Sequence, residues 1–526
     1  MNYFSVNAVI GGGLMGTGDF PTPESLVRHL DYIGVDRTLV FSMNALDRSP
    51  INGNKTLLDD IASYPDRLIP SFVISPADYY ENGSIAFLRE KAKSGEVRAF
   101  RLSTAFRVKN YERVIAELEE FSPVFLKNTG YADDTLNDLE AIARQYPKAT
   151  FILCKQMWNG FGNALDLMWR CKNVCLEISW LHVRGSFELV RDEFGIERLL
   201  FGVDCKAHHG AAIGALAHAD FTPGERELVA HGNIERLLGL RPLGRKLAPE
   251  HPLLKEKPLW TAFQNGRKIE SVKIYDAHSH FGGTNGSWIG RDFNDLDAQL
   301  RAVAGNMDKY GISKMVVAIG LGSNPIEAAL DFERRAREYP GKFLGYLGYN
   351  PFYKKFLTRQ AMDDLFSRET FVGFKTLCSY WRTKINDPVF EPMWAYAEKH
   401  HLPILNHTWD DSYNSPSMLT DVARKYPHAK FILGHSGGGT RGRLESEALA
   451  KSCPNVFLEF CGTFCSDRPV SESIREVGIG QFVFGSDTNG HNVAYELGGF
   501  LSLPMPDKDL IPALGENMEK ILADRR

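Results

Sequence analysis

Long apolar runs are missing from this 526-residue sequence, and none approaches the roughly 20 residues a membrane-crossing helix needs. The first residues, Met1-Asn2-Tyr3-Phe4-Ser5, lack a basic stretch leading into an apolar one, so no signal peptide is expected. An excess of one charge is also missing. Lys and Arg number 61 against 65 Asp and Glu, and the net charge of -4 gives no electrostatic reason to expect a nucleic-acid partner. Among the eight cysteines there is no CxxC pair. Cys171/Cys175 and Cys461/Cys465 are spaced CxxxC, which is expected to mean buried reduced thiols and a cytoplasmic protein rather than a disulfide framework.

The hydrophobic share of 44% and charged share of 24% are those of a soluble globular protein. The chain is too long for one ordinary core. An internal repeat settles how it divides. Arg144-Gln145-Tyr146-Pro147 returns as Arg424-Lys425-Tyr426-Pro427, and Asn173-Val174-Cys175-Leu176-Glu177 as Asn455-Val456-Phe457-Leu458-Glu459. Phe201-Gly202-Val203-Asp204 returns as Phe484-Gly485-Ser486-Asp487, and Asn233-Ile234-Glu235 as Asn517-Met518-Glu519. The offsets grow only from 280 at Pro147 to 284 at Asn233, and Gly34 meets Gly311 at 277. Chance matches would scatter; collinear copies with small loop insertions do not.

Each copy alternates short apolar runs with amphipathic stretches, the pattern of βα units on a parallel sheet. The second copy offers strands at 273–278, 314–319, 342–348, 371–376, 402–407, 429–435, 455–460 and 481–486. The first offers 3–9, 37–42, 67–73, 97–102, 123–126, 149–154, 173–178 and 198–203. The expected fold class is α/β, two tandem (β/α)8 TIM barrels at residues 1–242 and 271–526, joined by a proline-containing, basic linker at 243–270.

Functional side chains of such barrels project from the C-terminal strand ends. In the second copy His278 and His280 end strand 1 on one face, His407 ends strand 5, His435 strand 6 and Asp487 strand 8. Imidazole and carboxylate groups suit a divalent ion such as zinc, and an open coordination position activates water.

The run Asp276-Ala277-His278-Ser279-His280, with Gly373-Phe374-Lys375, Asn406-His407, Gly434-His435-Ser436-Gly437-Gly438 and Gly485-Ser486-Asp487, resembles the amidohydrolase superfamily. The likeness is to its uncapped amidohydrolase-related group, which includes aminocarboxymuconate-semialdehyde decarboxylase and several lactonases. The resemblance implies that His278, His280, His407 and Asp487 hold one divalent ion, zinc ahead of manganese, with His435 and Asp487 moving protons. It offers two roles for Lys375: a carboxylated bridge between two metals, or a free amine beside a mononuclear site that binds an anionic substrate group, the latter preferred. Arg382, Trp409, Asp410 and Arg441 are further candidates for substrate binding. His407-Thr408-Trp409-Asp410 is similar to the His-Pro-Trp-Asp of the decarboxylases, with Thr408 replacing proline. After Asp487 the family's aromatic and proline give way to Thr488-Asn489-Gly490-His491.

In the first copy only Asp204 keeps its identity. His278 corresponds to Asn7, His280 to Val9, Lys375 to Arg101 and His435 to Lys155; His407 corresponds to Lys127, or to Asn128 after a one-residue slip. Arg101, Lys127 and Lys155 are expected to converge on Asp204 and replace the metal's charge, pairing internally in preference to binding an anion. Because many relatives are homodimers, the resemblance also implies that the two halves pack as a pseudo-dimer and that the chain is a homo-oligomer.

Three functions follow as expectations: hydrolysis of a small, anionic lactone, ester or amide; nonoxidative decarboxylation of an aromatic or unsaturated carboxylic acid; and non-catalytic binding. The first is preferred.

Overall fold

A computed structural model describes residues 1–14, 18–103, 105–129, 136–208, 210–281, 289–462 and 468–526. The chain divides into two compact units, the first built on Met1–Leu254 and the second on Lys255–Thr284 with Arg291–Arg526.

The first unit is a parallel eight-stranded sheet in chain order: β1 (Phe4–Ile10), β2 (Arg37–Ser42), β3 (Leu68–Ile74), β4 (Ala99–Leu102), β5 (Val124–Asn128), β6 (Thr150–Cys154), β7 (Val174–Glu177) and β8 (Leu199–Leu200). The Val6 N–H donates to Phe201 O at 3.0 Å and closes it into a barrel. Val6, Leu39, Leu126, Ile152 and Leu200 fill the interior, one apolar side chain per alternate position.

The second unit repeats this with β9 (Ile274–His280), β10 (Ile312–Ile319), β11 (Phe343–Gly348), β12 (Phe371–Thr376), β13 (Pro403–His407), β14 (Lys430–Gly434) and β15 (Val456–Leu458), again parallel and in order. Ala277, Val316, Leu405, Ile432 and Val483 take the interior positions. The run expected as its eighth strand is a ladder fragment. The Val483 N–H donates to Leu458 O at 3.0 Å and the Ala277 N–H to Phe484 O at 2.8 Å, but beyond Phe484 the chain turns. There the N–H groups of Ser486 and Asp487 both converge on His278 O, at 3.3 and 2.8 Å, so regular pairing stops.

The repeated sequence motifs are clamps between elements. Asn173 donates its amide to the carbonyls of Ala143, Tyr146 and Ala149, and Asn455 does the same to Ala423, Tyr426 and Ala429. Asn233 and Asn517 each tie two carbonyls ahead of the last strand. A π-turn precedes each of these, at Leu228–Gly232 and Pro512–Glu516. Its carbonyls at Val229 and Ala513 accept from Phe201 and Phe484, completing the eighth position of each barrel. Gly34 and Gly311 both end helices in the left-handed region, with φ of 77° and 89°. At Gly311 a Cβ would lie 1.9 Å from Ile269 O, so only glycine fits.

Residues 243–270 are docked rather than loose. Leu247 donates its N–H to Asp36 in the first unit, whereas Lys257 is buried in the second, donating to Met505 O at 2.6 Å, and the helix Pro258–Phe263 buries Trp260. The seven cysteines among the described residues are free thiols, six of them buried; Cys465 lies outside the described residues. Among the described residues no helix is long and apolar enough to cross a membrane.

Asn455→Ala leaves three buried carbonyls without their shared donor, and the second unit is expected to lose about 2–3 kcal/mol. The midpoint of its urea transition measures this; an unchanged midpoint would remove the clamp role.

Candidate active site

The C-terminal end of the second barrel gathers five of the expected residues. His278 Nε2 lies 3.1 Å from His280 Nε2 and 3.5 Å from Asp487 Oδ1, and His280 Nε2 lies 3.1 Å from the same oxygen. The three ligand atoms sit within 4.8 Å of one another. His435 is beside them, its ring centroid 4.9 Å from that of His278. Lys375 Nζ is 2.8 Å from His278 Nε2. Lys375 is fully buried and its pKa is brought down to about 8 by that burial.

Backbone geometry aims these groups. His435 and Asp487 have φ of 66° and 53°, and their counterparts Lys155 and Asp204 have 56° and 52°. Such conformations cost on the order of 1–3 kcal/mol each, so the barrel mouth is built to the same strained pattern in both units. Asp276 holds the turn from below. Its Oδ1 accepts from the N–H groups of His278 and Ser486, both at 3.1 Å, and its Oδ2 from the Ser486 hydroxyl. Burial pushes its pKa up to about 7.

The tautomers follow from what lies behind the histidines. His278 Nδ1 is 2.8 Å from Glu459 Oε2, and the carboxylate requires a proton on that nitrogen, leaving the Nε2 lone pair to accept from Lys375 Nζ beside Asp487 and His280. Burial alone would raise the pKa of Glu459, but the bond from His278 overrides it and holds the group at about 2. His435 Nδ1 lies 2.8 Å from Cys461 O, which again forces Nδ1–H and an unprotonated Nε2. Burial lowers the pKa of both rings, His278 to about 3. Two imidazole lone pairs and a carboxylate oxygen converging at one point are a donor set that fits a divalent cation.

His407 stands apart from this trio and belongs to neither metal-binding set among the described residues. Its ring lies 4.8 Å from His435 and 5.6 Å from Tyr380. Trp409 packs edge-on to His435 at 5.8 Å, in space left by Gly438, where a Cβ would fall 2.5 Å from the indole. Thr408, at the position of the decarboxylases' proline, uses its hydroxyl twice: it donates to Gly434 O at 2.7 Å and accepts from the Gly437 N–H at 2.9 Å, stapling β13 to the glycine turn. Arg441 is spent on Asp410 and Glu445, at 3.6 and 3.2 Å, and its side chain is 75% exposed; Arg382 is exposed too, so neither arginine joins the buried site.

Several participants were not assigned roles from sequence. Glu459 and Cys461 form the wall behind the histidines, with Cys461 Sγ 3.3 Å from His278 Nδ1. His491 Nδ1 meets Glu496 at 2.9 Å and its Nε2 lies 3.7 Å from Asp487 Oδ2. Asn414 touches His407. Glu459 had a signal in its repetition as Glu177.

In the first unit the register decides one correspondence. Asn128 pairs with Cys154 as His407 pairs with Gly434, so the counterpart of His407 is Asn128, and Lys127 matches Asn406. Lys155 Nζ lies 2.8 Å from Asp204 Oδ2. Arg101 donates to Asn7 and Asn128, and Asn7 donates on to Asp204 at 2.9 Å. Lys127 Nζ donates to Asn128 O at 3.1 Å. The mouth is thus internally paired around Asp204. Glu177, buried where Asn7 replaces the histidine, has its pKa raised to about 7 by desolvation, against donors at Ser179 and Lys155 N.

The amidohydrolase family profile matches residues 33–240 and 275–524. No curated protein matches the chain. Similar solved structures include 2,6-dihydroxybenzoate decarboxylase from Rhizobium, at 17% identity and TM-score 0.38, covering 48% of this chain and 99% of that one. Another is 5-carboxyvanillate decarboxylase from Sphingomonas paucimobilis, at 12% identity and TM-score 0.36, covering 48% and 99%. A third, described as a 2-pyrone-4,6-dicarboxylic acid hydrolase from Acinetobacter baumannii, has 14% identity and TM-score 0.36, again covering 48% and 99%. At such identities and scores no activity passes from them to this chain.

Glu459→Gln removes the carboxylate that fixes His278, and the affinity for zinc, read by chelator competition, is expected to fall 10–100-fold; an unchanged affinity would contradict the tautomer assignment. Glu177 yields a pH dependence of opposite sign to a paired carboxylate. Its folded pKa of about 7 lies above the ordinary glutamate value of 4.5, so the first unit loses on the order of 3 kcal/mol as pH rises through that window. Urea midpoints at pH 5 and pH 8 should differ accordingly, and the difference should shrink in Glu177→Gln.

Proposed function

The chain belongs to the amidohydrolase family, and on that footing we propose that its second unit is a divalent-metal-dependent hydrolase of a small anionic lactone, ester or amide. His278, His280 and Asp487 would hold the ion through Nε2, Nε2 and Oδ1. When bound, such an ion polarises a carbonyl and lowers the pKa of water. The observation that carries the reading is His435: with Nδ1–H committed to Cys461 O, its Nε2 is an unprotonated base beside the trio. It takes a proton from the attacking water and returns it to the leaving oxygen or nitrogen. Asp487 keeps Oδ2 toward His491 while Oδ1 faces the histidines. Lys375 supplies a buried amine for an anionic substituent on the substrate.

The second reading, nonoxidative decarboxylation, is favoured by Trp409. Its indole edge-on to His435 gives the pocket a wall suited to a planar, conjugated acid. In both readings the first unit binds no metal, because Lys155 already supplies the positive charge at Asp204.

The full chain, loaded with zinc or manganese, is to be offered a panel of lactones and aromatic carboxylic acids. Ring opening without release of carbon dioxide is expected, with kcat reduced roughly 10²–10⁴-fold in His435→Asn at unchanged metal content. Carbon dioxide release would establish the decarboxylase reading instead.

A further inference from the structure

Behind the trio lies a second set of donors, on the far side of the same imidazole rings. One ligand atom from each of His278, His435, Glu459 and Cys461 lies within 4.8 Å of the other three, and all four side chains are buried. His278 Nδ1 is 2.8 Å from Glu459 Oε2 and 3.3 Å from Cys461 Sγ. Cys461 Sγ is 3.1 Å from the same oxygen and 3.7 Å from His435 Nδ1. A tetrahedral ion with bonds of about 2.0–2.3 Å sets its ligand atoms roughly 3.3–3.7 Å apart. Two of the four separations fall in that range and a third comes within a few tenths of an ångström. The shortest is a hydrogen bond that an ion would replace.

Cys461 is the member that the rest of the mouth does not explain. The same place in the first unit is Ser179, which makes the same bonds. Its N–H and hydroxyl both donate to Glu177, as the N–H and thiol of Cys461 donate to Glu459. A thiol is the weaker donor of the two, so sulfur gains nothing in hydrogen bonding. As a thiolate, however, it is a ligand for soft ions. The thiol stands in the unit that also carries His278 and His435, where the first unit has Asn7 and Lys155. The space around the two Nδ1 atoms differs in the same direction. A Cβ at Gly434 would fall 3.3 Å from His278 Nδ1, and one at Gly462 3.4 Å from His435 Nδ1. The first unit has Cys154 and Trp180 at these places.

We propose that His278 Nδ1, His435 Nδ1, Glu459 Oε2 and Cys461 Sγ form a second cation site, for a thiophilic ion such as cadmium, and that its occupation excludes an ion from the trio of His278, His280 and Asp487. The exchange balances. Each imidazole proton leaves Nδ1 and is restored at Nε2 of the same ring, and the thiol proton passes to solvent. A dication, a thiolate and a carboxylate then sum to zero charge. A neutral imidazole has one lone pair, so a ring that ligates through Nδ1 carries N–H at Nε2. His278 then offers the trio no lone pair, and His435 is no longer a base. A soft ion at the rear silences the front without touching Asp487. Only this exclusion rests on the metal reading above; the rear donor set stands without it.

The test uses the full chain with manganese, a hard ion suited to the front, and cadmium, a soft one suited to the rear. Bound manganese is followed by electron paramagnetic resonance, and the cadmium–thiolate bond by its near-ultraviolet charge-transfer band. In the wild type, cadmium is expected to raise the band to one equivalent per chain and to release bound manganese in step. Cys461→Ser, which installs the first unit's residue at this place, should keep the manganese affinity and lose the band. It should need roughly 100-fold more cadmium to release manganese. Asp487→Asn should lose manganese and keep the band. A band that survives in Cys461→Ser, or a wild-type band that rises without manganese release, would overturn the proposal. Manganese binding with no cadmium band in the wild type would overturn it while leaving the metal reading intact. A band in wild-type protein that binds no manganese would instead remove the metal reading and leave the rear site standing. The wild-type titration does not depend on any variant folding.

Discussion

A carboxylate with no solvent exposure must be protonated or compensated, and Glu459 is compensated by one imidazole N–H. Much of the second unit's mouth hangs on that bond. It fixes the His278 tautomer, and the same oxygen accepts from the His435 N–H at 3.2 Å, while the other accepts from the Cys461 N–H. The turn carrying Cys461 then presents its carbonyl to His435. One buried anion thus orients two histidines from different strands. Glu177 occupies the same place in the first unit without such a partner, and its pKa moves upward where that of Glu459 moves down.

The parts of the fold that were legible in the sequence are those where one side chain serves several backbone groups. Asn173 and Asn455 each satisfy three carbonyls, so they recur in both copies with their spacing intact. Arg198 and Gln481 share another such place although their residue types differ: Arg198 binds the carbonyls of Met168, Cys171 and Val174, and Gln481 those of Ala450, Cys453 and Val456. Strand ends were legible because histidines and aspartate fell where apolar runs stopped. The trio His278, His280 and Asp487 was reached in that way.

What escaped reading was set by space rather than by spacing. Asn414 and Tyr380 come from loops after different strands, and nothing in their local sequence couples them to His407. The Lys127/Asn128 ambiguity arose because the prolines at 123 and 403 differ by one place in the ladder: Val124, not Pro123, pairs as Pro403 does. The eighth strand of the second unit was apolar enough to be expected as regular sheet. Its ladder yields where Asp276 draws Ser486 inward.

A barrel is a sheet whose first and last strands must be joined, and in both units that seam coincides with the site. In the second unit His278 and His280 lie on one side of it and Asp487 on the other, so an ion held by them would act as a clasp on a ring. In the first unit the clasp is organic: Asn7 reaches across to Asp204, and Lys155 steadies the far end. Seen this way, the two units differ in how a circle is fastened. A fastening made by an ion would be one that a chelator opens; the other is sewn shut.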